Sequence, residues 1–260
     1  MLMKERYLLI VLLMFNVNIA QEAENAKLVD SLFTNSSLYN HRTENSKPSY
    51  SLVKLEKLIT KSRMKNNLDE VEETPNEEIY LSEKDFNKLS VKEKFTYTMV
   101  YPEIKSSNFI LDSLNFNLEN KIFGMLPLTA NYSKWSLRQQ KFLKENRKIV
   151  QELIQETSVK NQKMGLNFKK ALIEINAIES IPFIIDFYKS TDKNDKDLLT
   201  VLMLLVKKSN YYPFVRSNIY RKLYNDTISY QKSNIEYSEA NEEYILKTAK
   251  NFYLQSPKIK

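Results

Sequence analysis

Apolar positions along this chain recur at helical spacing, three or four residues apart, and at one place they close into an almost unbroken run. That run is Leu198 to Val206, LLTVLMLLV, with Thr200 its only polar residue and charge on both sides. A helix apolar on every face has to be surrounded by other elements, so the run predicts a central buried helix. It is far shorter than the ~20 residues that span a bilayer. A buried strand is the competing reading, because short apolar runs carry no distinguishing period. Leu and Met outnumber Val here, and Asp195 or Asp197 stands where an N-cap belongs, which favours helix.

Amphipathic stripes predict the helices around it. Leu52, Leu55, Ile59 and Met64 mark one. Ser82 with Asp85, and Ser90 with Glu93, have capping-box spacing, in which the serine oxygen takes a helix-start amide and the carboxylate reaches back. The second of these helices carries Val91, Phe95 and Met99 inward and stops by Tyr101, because Pro102 disfavours helical geometry in the residue before it. Ser136 with Gln139 opens the longest predicted helix, Leu137 to Thr157, with Phe142, Leu143, Ile149, Val150, Leu153 and Ile154 on one stripe. After Gly165 a further face runs through Phe168, Ala171, Leu172, Ile175 and Ile178. Ser180 caps the next helix, with Pro182 in its first turn and Ile181, Ile184, Ile185 and Tyr188 inward. Pro213 starts a helix with Val215, Ile219 and Leu223, and Ser238 starts the last, with Ile245, Ala249 and Phe252 inward. Between Glu103 and Thr129 the segments LNFNLEN and IFGMLPL alternate, and a small hairpin or an irregular packed loop is expected.

The expected fold is therefore mostly α, an irregular multi-helical or α-solenoid-like bundle. The 2 glycines in 260 residues do not supply the turns of a many-stranded sandwich or barrel. Residues 79–260 form the expected helical domain and residues 21–78 a poorly ordered arm with one or two short helices. Within that arm, Gln21 to Phe33 is one helical candidate, TNSSLYNHRTENSKPSY is polar without period, and Asn66 to Glu78 is an acidic linker. Residues 1–20 read as a signal peptide: basic Lys4 and Arg6, an apolar run from Tyr7 to Phe15, and Ala20 before the expected cleavage point, although Asn18 departs from the small-residue rule. With no cysteine there is neither a disulfide framework nor a lipid-attachment site. The expectation is an exported protein of the bacterial periplasm or extracellular space, with no transmembrane segment in the mature chain.

Charge and candidate chemistry narrow the function only a little. Formal net charge is +7; residues 21–90 carry 10 basic and 13 acidic side chains, residues 91–260 carry 27 and 18. A basic helical body suits an anionic partner, although a solvated Lys-rich surface has the same composition. Export argues against nucleic acid. The single histidine, His41, falls in the arm and reads as a solvated linker residue, so neither a histidine-bearing zinc cluster nor a Ser-His-acid triad is expected. Gly124 and Gly165 are isolated, which removes phosphate-cradling and dinucleotide loops; no cofactor is expected. Asp192, Asn194, Asp195 and Asp197 fail the EF-hand spacing, with Lys196 at the fifth position and Met203 in place of the bidentate glutamate, so no metal site is expected either.

From Phe168 to Leu223 the pattern resembles a HEAT-like α-helical repeat. The residues that carry it are Ala171-Leu172 with Ile175, Ala177-Ile178 before Ile181-Pro182 with Ile184-Ile185, and Val215-Arg216 with Ile219 and Leu223. Asn176 stands where that family often has glycine. The resemblance implies a binding scaffold rather than a catalyst. The candidate binding face is the late aromatic and basic cluster of Tyr211, Tyr212, Arg216, Tyr220, Arg221 and Tyr224, since tyrosine and arginine favour interfaces and sugar-binding faces. The expected function is non-catalytic binding of an envelope component, a protein or a polysaccharide. The alternative is a carboxylate-dependent cell-wall glycan hydrolase, because Ala177-Ile178-Glu179-Ser180 resembles the start of the lytic transglycosylase motif. Ile181-Pro182 follows at once, however, and no Gly-Leu-Met-Gln segment appears downstream. Glu174 and Glu179 are its candidate acids, but five residues apart on a helix they point to different sides.

Overall fold

A computed structural model describes residues 40–66, 80–105, 120–127, 133–191, 193–225 and 232–256. The expected signal peptide, the helix expected over Gln21 to Phe33, the expected acidic linker beyond Asn66 and the end of the tail lie outside them. By contact the chain separates into two units, Met1–His41 with Asp112–Glu119 and Arg42–Leu111 with Asn120–Lys260. In the first unit only Asn40 and His41 are described, and His41 is exposed. All elements below belong to the second.

That unit is mostly helical. In chain order it contains α1 (Leu52–Asn66), α2 (Glu83–Lys88), α3 (Val91–Val100), β1 (Ile104–Lys105), β2 (Lys121–Phe123), β3 (Ser133–Lys134), α4 (Leu137–Glu145), α5 (Arg147–Asn161) and α6 (Leu166–Glu174). A 3-10 turn at Ile178–Ser180 leads to α7 (Ile181–Ser190), α8 (Asp197–Lys208), α9 (Tyr212–Val215), α10 (Asn218–Tyr224), β4 (Asn234–Glu236) and α11 (Glu239–Gln255). Among the described residues no helix is long and apolar enough to cross a membrane.

The unbroken apolar run forms α8, and α6, α7, α9, α11 and strand β2 pack around it. Every residue from Leu198 to Val206 is buried except the half-buried Leu204. Thr200, the one hydroxyl in the run, donates to the carbonyl of Phe123 in β2 at 2.7 Å. A buried hydroxyl needs such a partner, and here it fixes the strand to the helix. Neither aspartate caps α8. Lys196 holds the N-cap position without a side-chain cap bond, because both carboxylates are engaged elsewhere: Asp195 accepts from Lys169 Nζ at 2.7 Å and Asp197 from Arg42.

Serine caps set the starts of α2, α3, α4 and α11 at Ser82, Ser90, Ser136 and Ser238, and at Ser90 and Ser136 the full capping box is present. α3 closes at Val100, before Pro102. Other expectations are corrected. The helix expected over Leu137 to Thr157 breaks at Asn146, whose backbone leaves helical geometry (φ −108°, ψ 26°) while its side-chain amide donates to the Phe142 carbonyl at 2.9 Å. Ile149 then falls outside the stripe and is exposed. The helix from Pro213 to Leu223 is likewise two pieces, α9 and α10, the second capped by Ser217. α6 ends before Ile178, and Ser180 holds the N-cap position of α7 without a side-chain cap bond; its hydroxyl donates instead to Gln151 Oε1 at 2.7 Å. No local hairpin joins the described residues of the 103–129 stretch. β1 pairs with β3 (Ile104 opposite Lys134) and β2 with the distant β4 (Ile122 opposite Ile235), both antiparallel.

With so little glycine, several helices close on other residues in the left-handed region. Gln162, Asn176 and Asn210 have φ of 50°, 50° and 51°. After α6, the amide of Ala177 bonds to the Leu172 carbonyl at 2.9 Å and that of Asn176 to Ile173 at 3.1 Å. That is a Schellman closure with asparagine at the glycine position, a substitution its short polar side chain tolerates.

The segment just before α1 is docked rather than free. Arg42 makes a two-pronged bond to Asp197, Nε to Oδ2 at 3.0 Å and Nη2 to Oδ1 at 2.7 Å, and its guanidinium lies 4.4 Å from the Phe123 ring centre. Ser46 is buried and bonded to Gly165 and Asn167 at the start of α6. Gly165 permits this approach, since a Cβ there would run into the backbone nitrogen of Ser46 and lie 2.7 Å from the carbonyl carbon of Asn45.

Candidate functional site

Helix α6 has two working faces. Phe168, Ala171, Leu172 and Ile175 enter the core, as their spacing predicts. On the opposite side Leu166, Lys170 and Ile173, three and four residues apart, line a cleft of about 390 Å³ together with Glu174. Met99 and Pro102 at the end of α3, Leu126 and Pro127 after β2, Trp135 after β3, and Leu204 of α8 complete its apolar walls. Pockets of this size, with apolar walls and a few fixed polar groups, are the usual form of a small-molecule site.

The walls are held rigidly. Trp135 Nε1 donates to the carbonyl of Thr98 at 2.9 Å, and Gln140 Nε2 donates to the carbonyl of Trp135 at 2.8 Å. The indole is thus fixed to α3, and the backbone that carries it to α4. Asn167 ties three segments together: its amide nitrogen donates to the carbonyls of Met99 (3.0 Å) and Ser46 (2.8 Å), and its oxygen accepts from the amide of Ser46 at 2.9 Å. The docked segment therefore contributes to the cleft wall, and Asn45 lines it.

Two titratable groups on α6 reach the cleft. Lys170 is half-buried, and desolvation lowers its ammonium to about 8. Glu174, one turn on, pairs with Lys144 at 2.7 Å. Lys134 stands exposed at the edge. Among the described residues Glu174 is the only carboxylate lining the cleft.

The other candidate acid is elsewhere in role. Glu179 accepts two bonds from the Arg147 guanidinium, one at 2.8 Å from Nη1 and a second from Nη2. Arg147 also donates to the carbonyls of Ile175 (2.8 Å) and Asn176 (2.6 Å). The pair braces the corner between α6 and α7 and does not line the cleft.

The tyrosine and arginine cluster divides into an inner and an outer part. Tyr220 and Tyr224, with ring centres 5.1 Å apart, both pack edge-on against the buried Phe214. Tyr211 packs against Phe252 of α11 at 5.3 Å, and its hydroxyl donates to Gln255 Oε1 at 3.2 Å. On the outside Tyr212 is 64% exposed and stacks with Arg216, whose guanidinium is 4.7 Å from its ring centre. Arg221 is exposed and binds the side chain of Asn218. The structure thus leaves one stacked pair and one arginine facing solvent, not a broad aromatic surface.

Sequence reasoning missed the cleft. The signal available to it was a second apolar pair on α6, Leu166 and Ile173, opposite the core stripe, together with the chain's single tryptophan beside a helix cap. Among the described residues no three His, Cys, Asp or Glu side chains gather closely enough to hold a metal ion. No protein family, no curated protein and no solved structure matches the chain.

Proposed function

We propose that this chain is a non-catalytic binding protein, exported through its first twenty residues to the cell envelope, and that its ligand sits in the cleft beside Trp135. The observation that carries the reading is the cleft itself: apolar side chains from Met99, Leu126, Ile173 and Leu204 and a fixed indole on one part of its lining, with polar side chains such as Gln140, Asn167 and Lys170 on the rest. The expected face around Tyr212 and Arg216 offers too little exposed area to compete with it, because its other tyrosine rings are engaged with Phe214 and Phe252.

The glycan-hydrolase alternative is favoured by one observation, the place of Glu174 in the cleft wall. Cleavage by two carboxylates needs a second one across the substrate, roughly 5–10 Å away. The described cleft supplies none, and Glu174 is already paired with Lys144. Glu174→Gln should leave ligand binding in place, whereas loss of a cell-wall glycan-cleaving activity in that variant would favour the hydrolase.

The direct test uses N-phenyl-1-naphthylamine, an uncharged apolar fluorophore that accepts energy from tryptophan. With a single Trp in the chain, Trp135 is the one donor, and the cleft-filling variant decides whether the dye that quenches it sits in this cleft. Saturable one-to-one transfer that disappears in the cleft-filling variant Ile173→Phe is the expected result. Absence of transfer, or transfer untouched by the filling variant, sinks the reading. The export step is checked separately, by sequencing the N-terminus of the secreted protein and finding Gln21.

A further inference from the structure

Each charged side chain described in the cleft lining already has an interaction within the protein, so selectivity falls to the neutral groups. Glu174 pairs with Lys144 at 2.7 Å, and Lys134 and Lys170 are likewise engaged. Neutral hydrogen-bonding capacity is left over, and its polarity is fixed. Gln140 spends its amide nitrogen on the Trp135 carbonyl at 2.8 Å, so the atom it has left for the cleft is the acceptor Oε1. Asn45 accepts the Asn167 backbone amide on Oδ1 at 3.1 Å, which leaves it the donor Nδ2. No described residue bonds to either remaining atom. Between them the Trp135 ring nitrogen is committed to the Thr98 carbonyl, next along α3 from the Met99 carbonyl that holds Asn167. The indole therefore offers the cleft apolar ring surface alone.

We infer that the cleft takes a neutral saccharide, one face of a pyranose ring against Trp135 and its hydroxyls against Gln140 Oε1 and Asn45 Nδ2. This rests on the cleft being a ligand site. A sugar hydroxyl both donates and accepts, so one ligand serves a fixed acceptor and a fixed donor together. The C–H groups of the ring, made electropositive by the oxygens on their carbons, meet the electronegative face of the indole. A wholly apolar ligand uses only the part of the lining formed by Met99, Leu126, Ile173 and Leu204. To fill the rest it would strip water from both amides and return no bond. An ionic ligand would have to displace an interaction that a cleft charge already makes.

The test displaces N-phenyl-1-naphthylamine from the full chain with neutral disaccharides: maltose, cellobiose, lactose and N,N′-diacetylchitobiose. Sorbitol, a polyol with the hydroxyls but no ring face, is the control. At least one disaccharide should displace the dye and shift the emission of Trp135, and sorbitol should do neither. Asn45→Leu and Gln140→Leu should each weaken that sugar about five- to tenfold relative to the dye. A bound dye that no disaccharide displaces overturns the inference and leaves the cleft a ligand site. Displacement by sorbitol as strong as by any sugar, or a sugar weakened only in step with the dye, does the same. No response of Trp135 to dye or sugar overturns both.

Discussion

Gly165→Ala isolates the contact on which the docked segment depends. Gly165 is the N-cap of α6 with φ −70° and ψ 165°, a conformation alanine adopts without strain. Replacing an N-cap glycine by alanine in itself costs about 0.5–1 kcal/mol. The larger effect is steric. The new methyl group would collide with the backbone nitrogen of Ser46 and come within 2.8 Å of its Oγ. Backbone cannot rotate away as a side chain would, so residues 44–46 have to leave α6. Five hydrogen bonds go with them: Gly165 N to Ser46 Oγ (2.8 Å), Leu166 N to Glu44 O (2.9 Å), Asn167 N to Asn45 Oδ1 (3.1 Å), Ser46 N to Asn167 Oδ1 (2.9 Å) and Asn167 Nδ2 to Ser46 O (2.8 Å). At about 0.5–1.5 kcal/mol each, partly replaced by water, these give a loss of roughly 3 kcal/mol. If Arg42 is drawn off Asp197, which is only 2% exposed, an uncompensated buried charge adds to it. The assay is urea denaturation, paired with trypsin cleavage after Arg42, a bond the ion pair shields in the native protein. A variant within about 1 kcal/mol of wild type, and as resistant to trypsin at Arg42, would refute the steric argument.

Further outcomes follow from other contacts. Glu103 is 1% exposed, and it accepts from Tyr97 (2.5 Å), Ser136 (2.5 Å) and Arg138 (2.9 Å to Oε2); Arg138→Leu should cost about 3–5 kcal/mol in thermal or denaturant unfolding, because a buried carboxylate loses its cation. Lys54 at 2.6 Å and the Ser90 amide at 2.9 Å hold Glu93 at about 2 instead of 4.5. Since the folded value is the lower one, that stabilisation is complete above about pH 4.5 and is lost as pH falls towards 2. Glu93→Gln should flatten this acid limb by about 1 kcal/mol, less in high salt because Lys54 is exposed, and an unchanged pH profile of unfolding would count against the assignment. Tyr212→Ala should shift stability by under about 0.5 kcal/mol while Phe214→Ala loses about 3–5, so two neighbouring aromatics separate cleanly in one denaturation experiment. Gln162→Gly should stabilise by about 0.5–1 kcal/mol by relieving a left-handed residue, with loss of stability as the contrary result.

How far the chain could be read depended on how local each cause was. Helix starts were legible because a cap is settled within four residues: Ser90 with Glu93 and Ser136 with Gln139 form in the structure the boxes their spacing predicts. Burial of α8 was legible too, since eight apolar side chains in nine residues leave hardly any face for water. Helix ends were harder. Asn146, Asn176 and Asn210 interrupt or close helices without the glycine that usually marks such places. Of the candidate site, α6 was identified only by its core face; Lys170 and Trp135 became significant when α3, β3 and α8 were set around them.

The sequence by itself determined the helical class, the central helix and the serine-marked starts, because propensity, period and capping are properties of neighbouring residues. Only the tertiary structure decided which remote partners complete them. The aspartates around the start of α8 could have capped it, but Lys169 and Arg42, 26 and 155 residues from their partners, compete for them and win. Phe123 reaches Thr200, and Ser46 reaches Gly165, across 77 and 119 residues. Such pairings depend on where the packed helices place groups far apart in the chain, and no local pattern encodes that placement. The cleft beside Trp135 is a product of the same long-range assembly.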